Sequence, residues 1–172
     1  MKTIQLLSVL FIATLASCSS VRVNSDYDKK ADFASYKTYA YLKSSVDKAE
    51  ISDLDKKRIL YSIDEVMAAK GFTKSDNPAI LVSIFTKESQ RVDIYQNNSF
   101  GWGWNPYWGM GMNYSNVNTT PEGTLFIDLI DAKTKELIWQ GEGTGYLTKN
   151  TDKKDARIKE FVAKILDQYP PK

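Results

Sequence analysis

The chain has 172 residues, 23 basic and 21 acidic side chains, one cysteine and no histidine. That length is one domain's worth, and a 26% charged fraction argues against both disorder and a polytopic membrane protein. Without histidine there is no Ser-His-Asp or Cys-His nucleophile system, no His-containing zinc site, and no side chain that ordinarily titrates between pH 5 and 8.

In chain order, the first element is an address rather than part of a fold. Lys2 supplies a positive start, and Ile4 to Ala16 is an apolar run of thirteen residues. A spanning helix needs about 20, so the run matches a secretory signal. It ends Leu15-Ala16-Ser17-Cys18, which resembles a bacterial lipobox: a branched residue, two small residues that fit a narrow peptidase cleft, then a thiol that accepts diacylglycerol. A simple secretory peptide cut nearby, or a buried apolar helix, is the plainer alternative. The expected organisation is a signal peptide over 1–17, a lipidated tether over 18–20 and one domain over 21–170.

Acylation of Cys18 consumes the only thiol, leaving no disulfide, thiol nucleophile or thiolate ligand. The mature 155 residues carry 22 basic against 21 acidic side chains, which gives no electrostatic case for nucleic acid. A domain of this size buries about 68–70% of its unfolded surface, so packing alone can hold it. Two or three acyl chains such as palmitate, at ~0.8 kcal/mol per buried CH₂, amount to a stable membrane anchor. Ser19 and Ser20 follow the cysteine, so the aspartate associated with inner-membrane retention is missing. The expected location is the cell envelope, on the outer membrane facing the periplasm.

Val21 to Tyr27 alternates like a strand, Asp26 to Ser35 is rich in turn formers, and Tyr36 to Leu42 is a second, aromatic strand. Ser52 and Asp55 resemble a capping box opening a helix of about 18 residues. Its stripe is Ile59, Ile63, Val66 and Met67, widened by Leu60; Gly71 closes it and Phe72 folds back. Ala79 to Phe85 is apolar on both faces, with weak alternation continuing to Tyr95. Thr124 to Ile130 and Leu137 to Gln140 flank the polar stretch Asp131 to Glu136 and read as a hairpin. Gly141, Gly143 and Gly145 then share one strand face, where another backbone approaches closely. A last helix, capped by Thr151 and Asp152, carries Ile158, Phe161, Val162, Ile165, Leu166 and Tyr169 before Pro170 and Pro171 stop it. The predicted order is ββαβββα: an α+β fold with a mainly antiparallel sheet and two helices on one face.

Between the strands lies Asn97 to Asn118, NNSFGWGWNPYWGMGMNYSNVN, with no charged residue. Trp102, Trp104 and Trp108 fall within seven residues, surrounded by Phe100, Tyr107, Tyr114, Met110 and Met112. Four glycines and Pro106 prevent a regular helix, so the sequence predicts a long loop or a distorted hairpin end. Loops of this length are usually functional or disordered. Four uses compete. The rings can dock an envelope protein, or stack on sugar rings with Asn97, Asn98 and Asn105 hydrogen bonding. They can also sit at a membrane interface, or fold onto the uncovered sheet face and complete the core.

Catalysis has only carboxylates to draw on. Asp128 and Asp131, with Glu136, Glu142 and Asp93, are candidates for an acid-type hydrolase, which needs two carboxyls about 5–9.5 Å apart across a cleft; solvated surface is the commoner reading. Asp26, Asp28 and Asp32 have oxygens for Ca²⁺ but lack the EF-hand's glycine and closing glutamate, so turn stabilisation is the better account. Ser45-Val46-Asp47-Lys48 and Ser75-Asp76-Asn77 mimic two penicillin-recognition motifs, yet the third is missing and Ser45 is expected in a loop. No metal, cofactor or catalytic residue is expected.

Tyr27-Asp28, Asp32-Phe33, Tyr36 to Tyr41, Thr124 to Ala132 and Leu137 to Gly141 together resemble the bacterial lipoprotein family called domain of unknown function 4136. The likeness runs from about Val21 to Tyr169, with Tyr41 standing where such families carry tryptophan. It implies an α+β envelope lipoprotein and brings no activity with it. The expected function is therefore non-catalytic: a protein held in membrane lipid through Cys18 that binds an unidentified envelope protein through the aromatic loop. A glycan-binding module is the alternative, and a carboxylate hydrolase is the third reading.

Overall fold

The computed structural model describes residues 21–95, 116–146, 148 and 150–171. It is an α+β fold: β1 (Val21–Tyr27), β2 (Thr38–Tyr41), α1 (Lys43–Lys48), α2 (Asp53–Ala69), β3 (Thr73–Lys74), β4 (Ile80–Tyr95), β5 (Asn116–Asp131), β6 (Leu137–Tyr146) and α3 (Thr151–Leu166). The six strands form one sheet in the order β1-β6-β5-β4-β2-β3. It is mostly antiparallel, as its hairpins require, but β2 runs parallel to both β4 and β3. The helical crossover between β2 and β4 makes that pairing possible.

The two long helices begin and end for legible reasons. Ser52 accepts a hydrogen bond from the Asp55 N–H and opens α2. Gly71, at φ +84°, closes it where a side chain would be strained, and buried Phe72 returns its N–H to the Met67 carbonyl. The cap of α3 is Asn150, whose side chain accepts from the Asp152 N–H, rather than the expected Thr151 and Asp152. Among the described residues three helices form where two were expected. The short α1 contains Ser45, which corrects its placement in a loop: its hydroxyl bonds the Ser83 hydroxyl at 2.6 Å and donates to the Ile84 carbonyl at 2.9 Å.

The core lies between the sheet and the long helices. Ile80, Val82, Ile84, Ile127, Leu129 and Trp139 from the strands meet Ile63 and Met67 of α2 and Val162, Ile165 and Leu166 of α3, all but fully buried. Each such aliphatic contributes about 1.5–3 kcal/mol on burial. Tyr39 and Tyr41 of β2 reach α2, where both hydroxyls donate to Asp64 Oδ1. Burial alone would raise that carboxyl; the bonds from Lys74, Tyr41 and Tyr39 outweigh it and hold Asp64 below its ordinary range.

The glycine face expected on the sixth strand is used for a close approach. A Cβ at Gly141 would land on the Trp139 ring and 2.5 Å from Ile165 Cγ2; one at Gly143 would lie 2.7 Å from Ile165 Cδ1. Helix α3 therefore seats on β6 only because both positions lack a side chain. Gly143→Ala is expected to destabilise by about 1–3 kcal/mol through overpacking, lowering Tm by several degrees in thermal melts. Adding Ile165→Val should recover part of the loss, because the crowding methyl leaves.

Candidate functional site

The most informative feature is the length of the β4–β5 ladder. Its sixteen pairs run from Ile80↔Asp131 to Tyr95↔Asn116 without a register shift. Strand β6 follows β5 only as far as Tyr146↔Glu122. Beyond that point, residues 90–95 and 116–121 continue as a two-stranded arm of about 20 Å. The sequence predicted loop through Asn118, whereas β5 already begins at Asn116. Residues 96–115 lie outside the described residues, and with them Phe100, Trp102, Trp104, Tyr107, Trp108 and Tyr114. Cys18 lies outside them as well. What the structure does place is the support: the arm that carries both ends of the aromatic segment.

The arm leaves the body at the level where the chain enters it. Val21 pairs with Gly145, Gly145 with Gly123, and Gly123 with Glu88. Cys18 stands three residues before Val21, a reach of at most about 10 Å.

At the base of the arm the two sides of the sheet differ. On the helix side is a cleft of about 1190 Å³, with Ile59, Leu125 and Phe161 as apolar lining and Glu88, Lys154 and Arg157 among its polar residues. Arg157 is fixed by three contacts: Nε donates to the Tyr146 carbonyl, Nη1 pairs with Glu160 at 2.7 Å, and the guanidinium lies 4.9 Å from the Phe161 ring centre. On the opposite side, the tilted rings of Phe85 and Phe126 lie with centres 5.4 Å apart across the β4–β5 pair, and Phe85 is 54% exposed. The sequence reading missed this aromatic pair, although a strand apolar on both faces was the signal for it.

The candidate carboxylates serve different tasks. Asp131 caps the turn into β6, accepting from the Thr134 and Lys133 N–H groups and from the Tyr36 hydroxyl, which hold it below the usual carboxylate range. Asp128 accepts from Gln140 Nε2 at 2.8 Å, but burial pushes its carboxyl above the ordinary value. Glu136 is exposed, and Glu142 lies opposite Phe126. Asp28 and Asp32 each accept a backbone N–H two residues on, the geometry of turn stabilisation, whereas Asp26 accepts the Tyr27 N–H at the end of β1.

Because the folded Asp128 carboxyl titrates above its unfolded value of about 3.9, its charge opposes folding at pH 7 and that penalty fades as pH falls through the raised pKa. Asp128→Asn keeps an oxygen for Gln140. The variant is expected to melt higher than the parent at pH 7, with the difference closing toward pH 4 in thermal melts.

Solved structures share the fold at low identity. A PDZ domain protein from Parabacteroides distasonis aligns with TM-score 0.55 and 15% identity, covering 96% of this chain and 40% of that one. The chain thus spans about two fifths of that relative's length. The PelC dodecamer from Paraburkholderia phytofirmans aligns with TM-score 0.50 and 14% identity, covering 85% and 94% of the two chains. No curated protein matches the chain. The model of the family described as "Domain of unknown function (DUF4136)" matches residues 23–171, nearly the whole described domain, and the chain belongs to that family.

Proposed function

We propose that this is a non-catalytic, lipid-anchored protein of the cell envelope, held through acylated Cys18 in the outer membrane, that binds another envelope component through its aromatic segment. The observation that carries the reading is the coincidence of levels. The chain enters β1 beside the base of the β4–β5 arm, so an anchor at Cys18 keeps the arm close to the bilayer surface. The segment between the arms supplies tryptophan and tyrosine without charge, the chemistry of contact hot spots. A glycan partner is the alternative, resting on the same rings and on Asn97, Asn98 and Asn105.

The anchor and the contact are tested separately. Mass spectrometry of protein extracted from membranes should find Cys18 as the N-terminal residue with a diacylglyceryl adduct, and Cys18→Ala should release the protein from the membrane fraction. A chain that retains residues 1–17 and a free thiol contradicts the anchor. A photocrosslinker at position 104 in intact cells should capture an envelope protein. Quenching of the tryptophan fluorescence by soluble glycans, with no protein captured, would favour the alternative.

A further inference from the structure

The β4–β5 arm has an edge that nothing among the described residues pairs. In a strand, the N–H and C=O of one residue point to the same side and alternate along the chain. Val82 accepts from the Leu42 N–H and Ile84 accepts from Ser45, both on the side away from β5. The register is unbroken, so Thr86, Glu88, Gln90, Val92 and Ile94 turn their backbone groups to that same edge. There β2 stops at Val82 and α1 covers the edge only as far as Ile84. The arm's other edge is blunted: Pro121 points the side of its nitrogen toward the β6 side, one residue past the last β6 pair, where no N–H is offered. At the far edge of the sheet, Asp26 accepts the Tyr27 N–H and so blocks part of the β1 edge. A long, unblocked edge is a template for another strand, and a two-stranded ribbon alone is marginal in water.

We propose that the occupant is a second copy of this chain, with the two β4 edges pairing antiparallel about a two-fold axis through Gln90. Only residues that both face the edge can exchange hydrogen bonds, so the axis must pass through a residue position and not between two. Centred on Gln90, the pairing joins Thr86 to Ile94 and Glu88 to Val92, and uses every edge-facing residue. The intervening positions then bring Lys87 opposite Asp93 twice, once on each side of the axis, and Phe85 opposite Tyr95. Moving the axis to position 89 sets Lys87 against Arg91, and moving it to 91 sets Arg91 against itself. Charge therefore rejects both neighbouring registers, and an axis at 92, which would set Arg91 against Asp93, leaves Thr86 and Glu88 without partners in β4. Such a contact is isologous and closes on itself. Val21 lies level with Glu88, two residues from the axis, so the two chains enter the dimer on opposite sides of the axis, about 14 Å apart along the strand direction.

The test uses the full chain solubilised in detergent. Light scattering should give a protein mass twice that of one chain, falling to one chain on dilution. Lys87→Asp or Asp93→Lys alone should weaken the dimer by on the order of tenfold, and the two together should restore it. Gln90→Cys, at a paired spacing of about 5.5 Å, should form a disulfide between two copies at position 90 under mild oxidation, identified by peptide mass spectrometry. A chain that stays monomeric at every concentration, or charge reversals that leave the mass unchanged, would overturn the proposal. So would a position-90 crosslink to a different protein.

Discussion

The whole arrangement depends on one uninterrupted ladder. Sixteen antiparallel pairs between β4 and β5 give the sheet its central strands and then carry on past the end of β6. In the body, the ladder is stabilised on the helix side by Ile80, Val82, Ile84, Ile127 and Leu129, which bury themselves under α2 and α3. In the arm, only the backbone pairing continues among the contacts described. The same register therefore sets the position of the core, the height of the aromatic segment and the identity of the edge-facing residues. A single inserted residue in either strand would turn every later position over.

Around that ladder the helices are locked by two devices. On the β6 side, the lack of side chains at Gly141 and Gly143 lets Ile165 approach the backbone, and Trp139 and Tyr169 fill the remaining space with their rings 5.4 Å apart. At the N-terminal ends, Asp55 of α2 accepts from Lys154 of α3 at 2.7 Å, and Arg58 bridges Asp55 and Asp155. These ion pairs are partly exposed and contribute little individually. Their effect is geometric: they tie the N-terminal ends of α2 and α3 together where Asp55 and Lys154 line the cleft.

Much of this was legible from residue spacing. The stripes of α2 and α3 repeat at helical period, and glycine at 71 marks an end that only glycine takes cheaply. The hairpin of β5 and β6 is announced by the polar turn from Asp131 to Glu136. Other parts were not legible because they depend on partners distant in sequence. Helix α1 buries no residue, so it shows no stripe, and its place is fixed by Ser83 and Ile84 nearly forty positions away. Asn116 and Asn118 are poor strand formers, and the stretch around them is extended because β4 lies beside it. Asn150 and Thr151 are both good cap residues, and only the bond to the Asp152 N–H decides between them. The exposure of Phe85 likewise follows from which sheet face the helices leave open.

The ladder persists through the arm with alternate residues bonded to β5. Amide hydrogen exchange, followed by NMR on the dilute protein, reads that directly. Slow exchange is expected at Arg91, Asp93 and Tyr95, whose amides point toward β5, and fast exchange at Val92 and Ile94, whose amides point away. Uniformly fast exchange from Gln90 to Tyr95 at the concentration where Ile84 and Ile127 stay protected would contradict it.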